Sequence, residues 1–144
     1  MGPPLKQLIK DPALKGRIKV VFKQFPLGFH KAAKPAAVAS LAAHDQGKFW
    51  EYHDKIFANQ TKLKTATAAT YEGWAKELGL NLAKFKAYVA SGKGEKIVEN
   101  DMKEGRAGGV RGTPSIYING RKYQSSAGYS PAAFKSVINK YFKK

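Results

Sequence analysis

Three histidines, ten carboxylates and no cysteine are the groups with which this 144-residue chain could do chemistry. The lack of cysteine removes thiolate nucleophiles, disulfides and Cys-based metal sites together. His30, His44 and His53 supply imidazoles, but no Cys, Asp or Glu spacing completes a zinc site around them. His53 stands three and four residues before Ile56 and Phe57, on a face that reads as inward, so structural roles are expected for the histidines. No Gly-x-Ser-x-Gly elbow is present, so none of the chain's serines is marked out to join His44-Asp45 in a hydrolase triad. Asp45, Glu51 and Asp54 are expected to make contacts on helix surfaces. Gly105-Arg106-Ala107-Gly108-Gly109 is glycine-rich, yet it follows a helix and opens no strand–loop–helix unit as a phosphate loop would. No catalytic residue, metal site or cofactor is expected.

One stretch stands out as a binding candidate. Val110 to Gly120 reads as a loop with Arg111, Gly112, Thr113 and Pro114, then a short strand, then Asn119-Gly120. Asn-Gly is a strong two-residue hairpin signal, because a type I′ turn needs positive φ at both positions. Arg111 with Arg121 and Lys122 forms a candidate basic patch beside the proline loop, suited to acidic or phosphorylated ligands.

The formal charge is +16, from 26 Lys+Arg against 10 Asp+Glu, which favours non-specific attraction to polyanions. Residues 1–34 hold eight cations against Asp11 alone, and Lys140 to Lys144 forms a second cluster. Lysine outnumbers arginine, which suits diffuse phosphate attraction better than bidentate base reading. A solvated lysine-rich surface is the competing explanation. Apolar residues at 43% exclude a disordered chain, and no apolar run reaches the ~20 residues of a membrane helix. The N-terminus, Met1-Gly2-Pro3-Pro4, has no apolar export segment, so the chain reads as cytoplasmic if that start is genuine.

The elements that position these residues follow from periodicity. Leu5, Leu8 and Ile9 share a helical face, which Asp11-Pro12 ends. Ile18, Val20, Val21 and Phe22 predict a buried strand over Arg17–Phe25. Helices are predicted over Pro35–Ala43, Lys48–Phe57, from Thr70 as a cap through Leu78, from Asn81 as a cap with Leu82, Phe85 and Val89 inward, and over Glu95–Ala107. The stretch from Asn59 to Ala69 reads as loop. A hairpin of Ser115–Ile118 and Arg121–Ser126 follows, and Ser130-Pro131 caps a last helix bearing Phe134, Val137, Ile138 and Tyr141.

This order resembles a known family. Gly112-Thr113-Pro114, strand, Asn119-Gly120, strand and helix resemble the C-terminal half of a thioredoxin-like domain. Phe25-Pro26-Leu27 with His30, Gln46 to Glu51, His53-Asp54 and Phe57 to Gln60 are similar to the DsbA-like thiol–disulfide oxidoreductases, which insert a helical domain into that fold. The resemblance covers about Pro4 to Phe142. It implies an α/β fold with a thioredoxin-like part at 1–34 and 108–144 and a helical insertion at 35–107. It implies a cis Pro114 whose adjoining backbone pairs with extended peptide. It also implies an exported, periplasmic setting.

The departure from the family is equally specific. The family enters its first helix through a central strand and a Cys-x-x-Cys motif, and this chain begins beyond where both would lie. Dithiol exchange requires an attacking thiolate, so the chain as written has no redox activity. An incomplete sheet would have to be repaired by direct pairing of 17–25 with 115–118, by a swapped homodimer, or by an added strand from another protein. The expected function is a peptide-binding or self-associating module using Arg111 to Pro114. Two alternatives stand beside it: a piece of an oxidoreductase whose Cys-x-x-Cys lies upstream, and a basic protein that binds nucleic acid or another polyanion.

Overall fold

Asn119 and Gly120 take φ of 46° and 79°, the left-handed pair that closes a two-residue turn and matches the twist of the strands it joins. This comes from a computed structural model that describes residues 7–14, 16–124, 126 and 128–141. Leu5, Lys15, Ser125 and Phe142 to Lys144, to which the sequence gives roles, lie outside the described residues. The turn joins β1 (Tyr117–Ile118) and β2 (Arg121–Lys122), antiparallel, with Tyr117 opposite Lys122 and Ile118 opposite Arg121. Beyond the ladder, the Tyr123 amide donates to the Ile116 carbonyl at 2.7 Å.

The chain divides into two units, one of residues 1–22 with 112–144, the other of 23–111. In the first, the face of the hairpin carrying Ile116, Ile118 and Tyr123 packs on Leu8, Leu14, Phe134 and Ile138. Leu8 comes from a helical segment at 7–10, and Phe134 and Ile138 come from the last helix, Pro131–Tyr141. Ser130 caps that helix as expected, its hydroxyl accepting from the Ala133 amide at 3.1 Å. Lys135 on the same helix donates to Asp11 at 2.8 Å, and the Ala13 amide donates to the other carboxylate oxygen.

The second unit is helical: α1 (Ala33–His44), α2 (Phe49–Ala58), a single turn α3 (Gln60–Leu63), α4 (Ala68–Glu77), α5 (Leu82–Ala90) and α6 (Lys93–Ala107), so that the C-terminal helix is α7. Alanine-rich α1 is central. Ala36, Ala37, Val38, Ala39, Leu41, Ala42 and Ala43 are all buried, because small side chains let helices approach it on several sides. Ala36, Ala39, Ala42 and Ala43 join Tyr52, Ile56, Tyr71, Trp74 and Phe85 in one core, while Ala37, Val38 and Leu41 meet Val98 in another. The approach of α6 is close: a Cβ on Gly94 would lie 2.9 Å from Val38 Cγ1.

Several expectations are corrected. Residues 17–25 form no strand. A β-branched run becomes a strand only where a neighbouring ladder accepts it, and among the described residues the only ladder is β1 with β2. Ile18, Lys19, Val20 and Val21 make no backbone hydrogen bond among the described residues, and Val21 is 64% exposed. Residues 23–34 group with the helical unit, drawn there by Lys23 and Gln24, which bond to α1 and α6. The cap of helix α4 is Thr67, three residues before Thr70, whose hydroxyl accepts from the Thr67 amide at 3.1 Å. Residues 60–63 close one helical turn where a loop is expected. Val89 faces outward, because Phe85 holds the buried stripe of its helix. Each strand is shorter than expected at its end away from the turn, leaving a mostly helical protein with a small two-stranded sheet.

Candidate functional site

Arg111, Gly112, Thr113 and Pro114 follow the end of α6, where Gly109 at φ 78° and the Val110 amide, donating 2.8 Å to the Gly105 carbonyl, turn the chain out of the helix. Gly105 serves packing there, since a Cβ would meet the Phe25 ring at 2.9 Å. The glycines of 105–109 thus close a helix and admit a ring. The Thr113–Pro114 bond is cis. Both residues are exposed, and the Ser115 hydroxyl donates to the Gly112 carbonyl at 2.8 Å, folding the loop toward β1. The Thr113 amide and carbonyl meet no hydrogen-bond partner among the described residues. Arg111 ends the helical unit and Gly112 opens the hairpin unit.

The candidate basic residues are described each in its own unit. Arg121 and Lys122 are exposed neighbours on β2, on opposite faces of the hairpin. Arg121 reaches over the Tyr141 ring, 5.9 Å from its centroid, and Lys140 lies 5.1 Å from the same centroid. Arg111 belongs to the other unit.

The histidines are dispersed. His30 is exposed against Phe29, and His44 ends α1 near Phe49. His53 is buried among Phe49, Trp50 and Phe57, with Nδ1 3.2 Å from Asp54. No cluster of three or more metal-ligating side chains occurs among the described residues. Glu51 lies 3.6 Å from Lys48 within one helical turn. No described helix is long and apolar enough to cross a membrane.

Sequence reasoning missed one polar cluster. Asp101 is 8% exposed, and its carboxylate accepts from Lys23 Nζ at 2.9 Å and from the Gln24 amide at 2.8 Å. The Gln24 side chain donates to the Ser40 hydroxyl at 2.9 Å, which donates to the Ala37 carbonyl. Together they fasten residues 23–24 to α1 and α6. The signal was present in the spacing: Gly94, Val98 and Asp101 recur at i, i+4, i+7, placing an acid on the buried stripe.

Comparison with known proteins agrees with these features. The chain is 33% identical over 141 residues to the Na(+)/H(+) antiporter NhaA 1 of Salinispora arenicola, covering 97% of this chain and 20% of that protein. It is 29% identical over 153 residues to the probable disulfide bond formation protein D of Bacillus anthracis, covering 99% of this chain and 64% of that protein. The chain thus spans about a fifth of the antiporter relative and under two thirds of the disulfide-forming one. No solved structure matches it. The thioredoxin family profile matches residues 3–140, and with its cis Thr113–Pro114 loop, hairpin and closing helix the chain belongs to the thioredoxin family.

Proposed function

We propose that this chain is a cysteine-free thioredoxin-family module that binds extended peptide through Arg111, Gly112, Thr113 and Pro114, without thiol chemistry of its own. The observation that carries the reading is the Thr113 backbone, exposed and without a hydrogen-bond partner among the described residues. An extended peptide satisfies such groups by adding a strand, with affinity from main-chain pairing. Unpartnered Ile18 to Val21 support self-association by the same means. The antiporter relatives favour a setting within a longer protein beside a membrane.

Amide NMR tests this with a cysteine-free unfolded peptide. The Arg111, Thr113 and Ser115 amides should shift on titration, with little dependence on salt. Unmoved amides at saturating peptide would refute the reading. A second reading is favoured by the disulfide-forming relative: the chain is a portion of a thiol–disulfide oxidoreductase whose Cys-x-x-Cys lies upstream. The upstream reading frame decides it, since a strand followed by that motif is required.

A further inference from the structure

The two units differ sharply in charge. Residues 1–22 with 112–144 carry eleven Lys+Arg and a single acid, Asp11, whereas 23–111 carry fifteen against nine. The acids of the helical unit mostly hold cations: Glu51, Glu72, Glu77 and Glu99 each pair with one lysine, and Asp101 and Glu104 share Lys23. In the hairpin unit the lone carboxylate is occupied by Lys135. Its net charge of +10 in 55 residues therefore meets no free acid of its own.

The composition of this charge is also particular. Nine of the eleven cations are lysine, compact charges suited to a diffuse array of phosphates rather than to base edges. Exposed tyrosines accompany them: Tyr129 at 46%, and Tyr141 at 53% beside Arg121 and Lys140. Tyrosine and lysine together are the residue types that settle at the headgroup level of a bilayer.

We infer that the hairpin unit carries a docking surface for an anionic lipid bilayer, centred on Arg121, Lys140 and Tyr141. The inference rests on the membrane-side setting proposed above, and it is independent of peptide binding at Thr113.

The test is co-sedimentation of the whole chain with vesicles of phosphatidylglycerol and phosphatidylcholine in equal parts, against phosphatidylcholine alone. Binding should require phosphatidylglycerol and should be lost between about 0.1 M and about 1 M salt, as the screening length contracts from about 10 Å to about 3 Å. Two variants of equal net charge locate the surface. The double variant Arg121→Gln, Lys140→Gln should bind about tenfold or more weakly. The double variant Lys62→Gln, Lys64→Gln, in the helical unit, should bind within about threefold of the parent. Equal losses in the two would overturn the inference, leaving net charge alone as the cause. Absence of vesicle binding would overturn it as well. Tighter binding to a single-stranded oligonucleotide than to the vesicles at equal salt would assign the surface to nucleic acid and overturn it too. Circular dichroism confirms that each variant is folded, all four positions being exposed. The peptide titration above is read at different amides, so either proposal can fail without the other.

Discussion

Replacing Asp101 by alanine should cost the helical unit about 2–3 kcal/mol, most of it from one backbone amide. The Gln24 N–H donates to Asp101 at 2.8 Å in a buried position and has no other acceptor among the described residues. A buried donor stripped of its partner costs about 1–3 kcal/mol. The Lys23 contact adds little, because its side chain is 57% exposed and keeps Glu104 at 2.9 Å. Exposed pairs of that kind are worth about 0–1 kcal/mol. Set against a typical domain stability of about 5–15 kcal/mol, the total is a large loss. Urea unfolding followed by helical circular dichroism measures it. Lys23→Ala and Glu104→Ala serve as controls and should each cost about 1 kcal/mol or less. Asp101→Asn, which keeps one carbonyl acceptor, should fall between the extremes. The reasoning is refuted if Asp101→Ala costs under about 0.5 kcal/mol, or if Lys23→Ala costs as much as Asp101→Ala, since the ion pair would then outweigh the amide hydrogen bond.

Gly94→Ala should destabilise the packing of α1 against α6 by about 1–3 kcal/mol, because its Cβ would come 2.9 Å from buried Val38, and thermal unfolding reads the loss. Tyr52→Phe keeps the ring against Phe85 but removes the hydroxyl that donates to the Tyr71 carbonyl at 2.8 Å. It should cost about 1–2 kcal/mol in the same assay. Burial pushes the Tyr52 phenol, and those of Tyr71 and Tyr88, above the ordinary 10.0, so the unfolded chain ionises first. Their stabilisation is whole below about pH 10 and is lost as pH rises further, which unfolding at stepped alkaline pH should show. The opposite sign holds for Asp11, held below its ordinary 3.8 chiefly by the Lys135 hydrogen bond. Its contribution is present above that pH and fades as pH falls, and Lys135→Gln should abolish that part of the acid response.

Local rules made much of this protein readable in advance. The Asn119-Gly120 turn, the Asn81 and Ser130 caps and the glycine ends of the helices each depend on a few adjacent residues. The helical stripes of Tyr71, Trp74 and Ala75, and of Phe134 and Ile138, follow from a period that neighbouring residues impose. The Arg111 to Pro114 loop was recognisable because its residue types are unusual together. Errors came where distant groups decide. Residues 17–25 have every local mark of a strand, yet a strand exists only through a partner far away in the chain. The hydrogen bond that gives Asp101 its role comes from Gln24, 77 residues earlier.

The sequence by itself determined the absence of thiol chemistry, the excess of positive charge, the turns and caps, and the family to which the chain belongs. All of these are properties of composition or of residues close in the chain. Tertiary structure alone decided which acids are neutralised, that the hairpin unit retains +10 with no free carboxylate, and that Ile18 to Val21 meet no ladder. The physical reason is common to all three. Ion pairs, burial and strand pairing join groups tens of residues apart, and their free energy depends on a distance that spacing along the chain does not set.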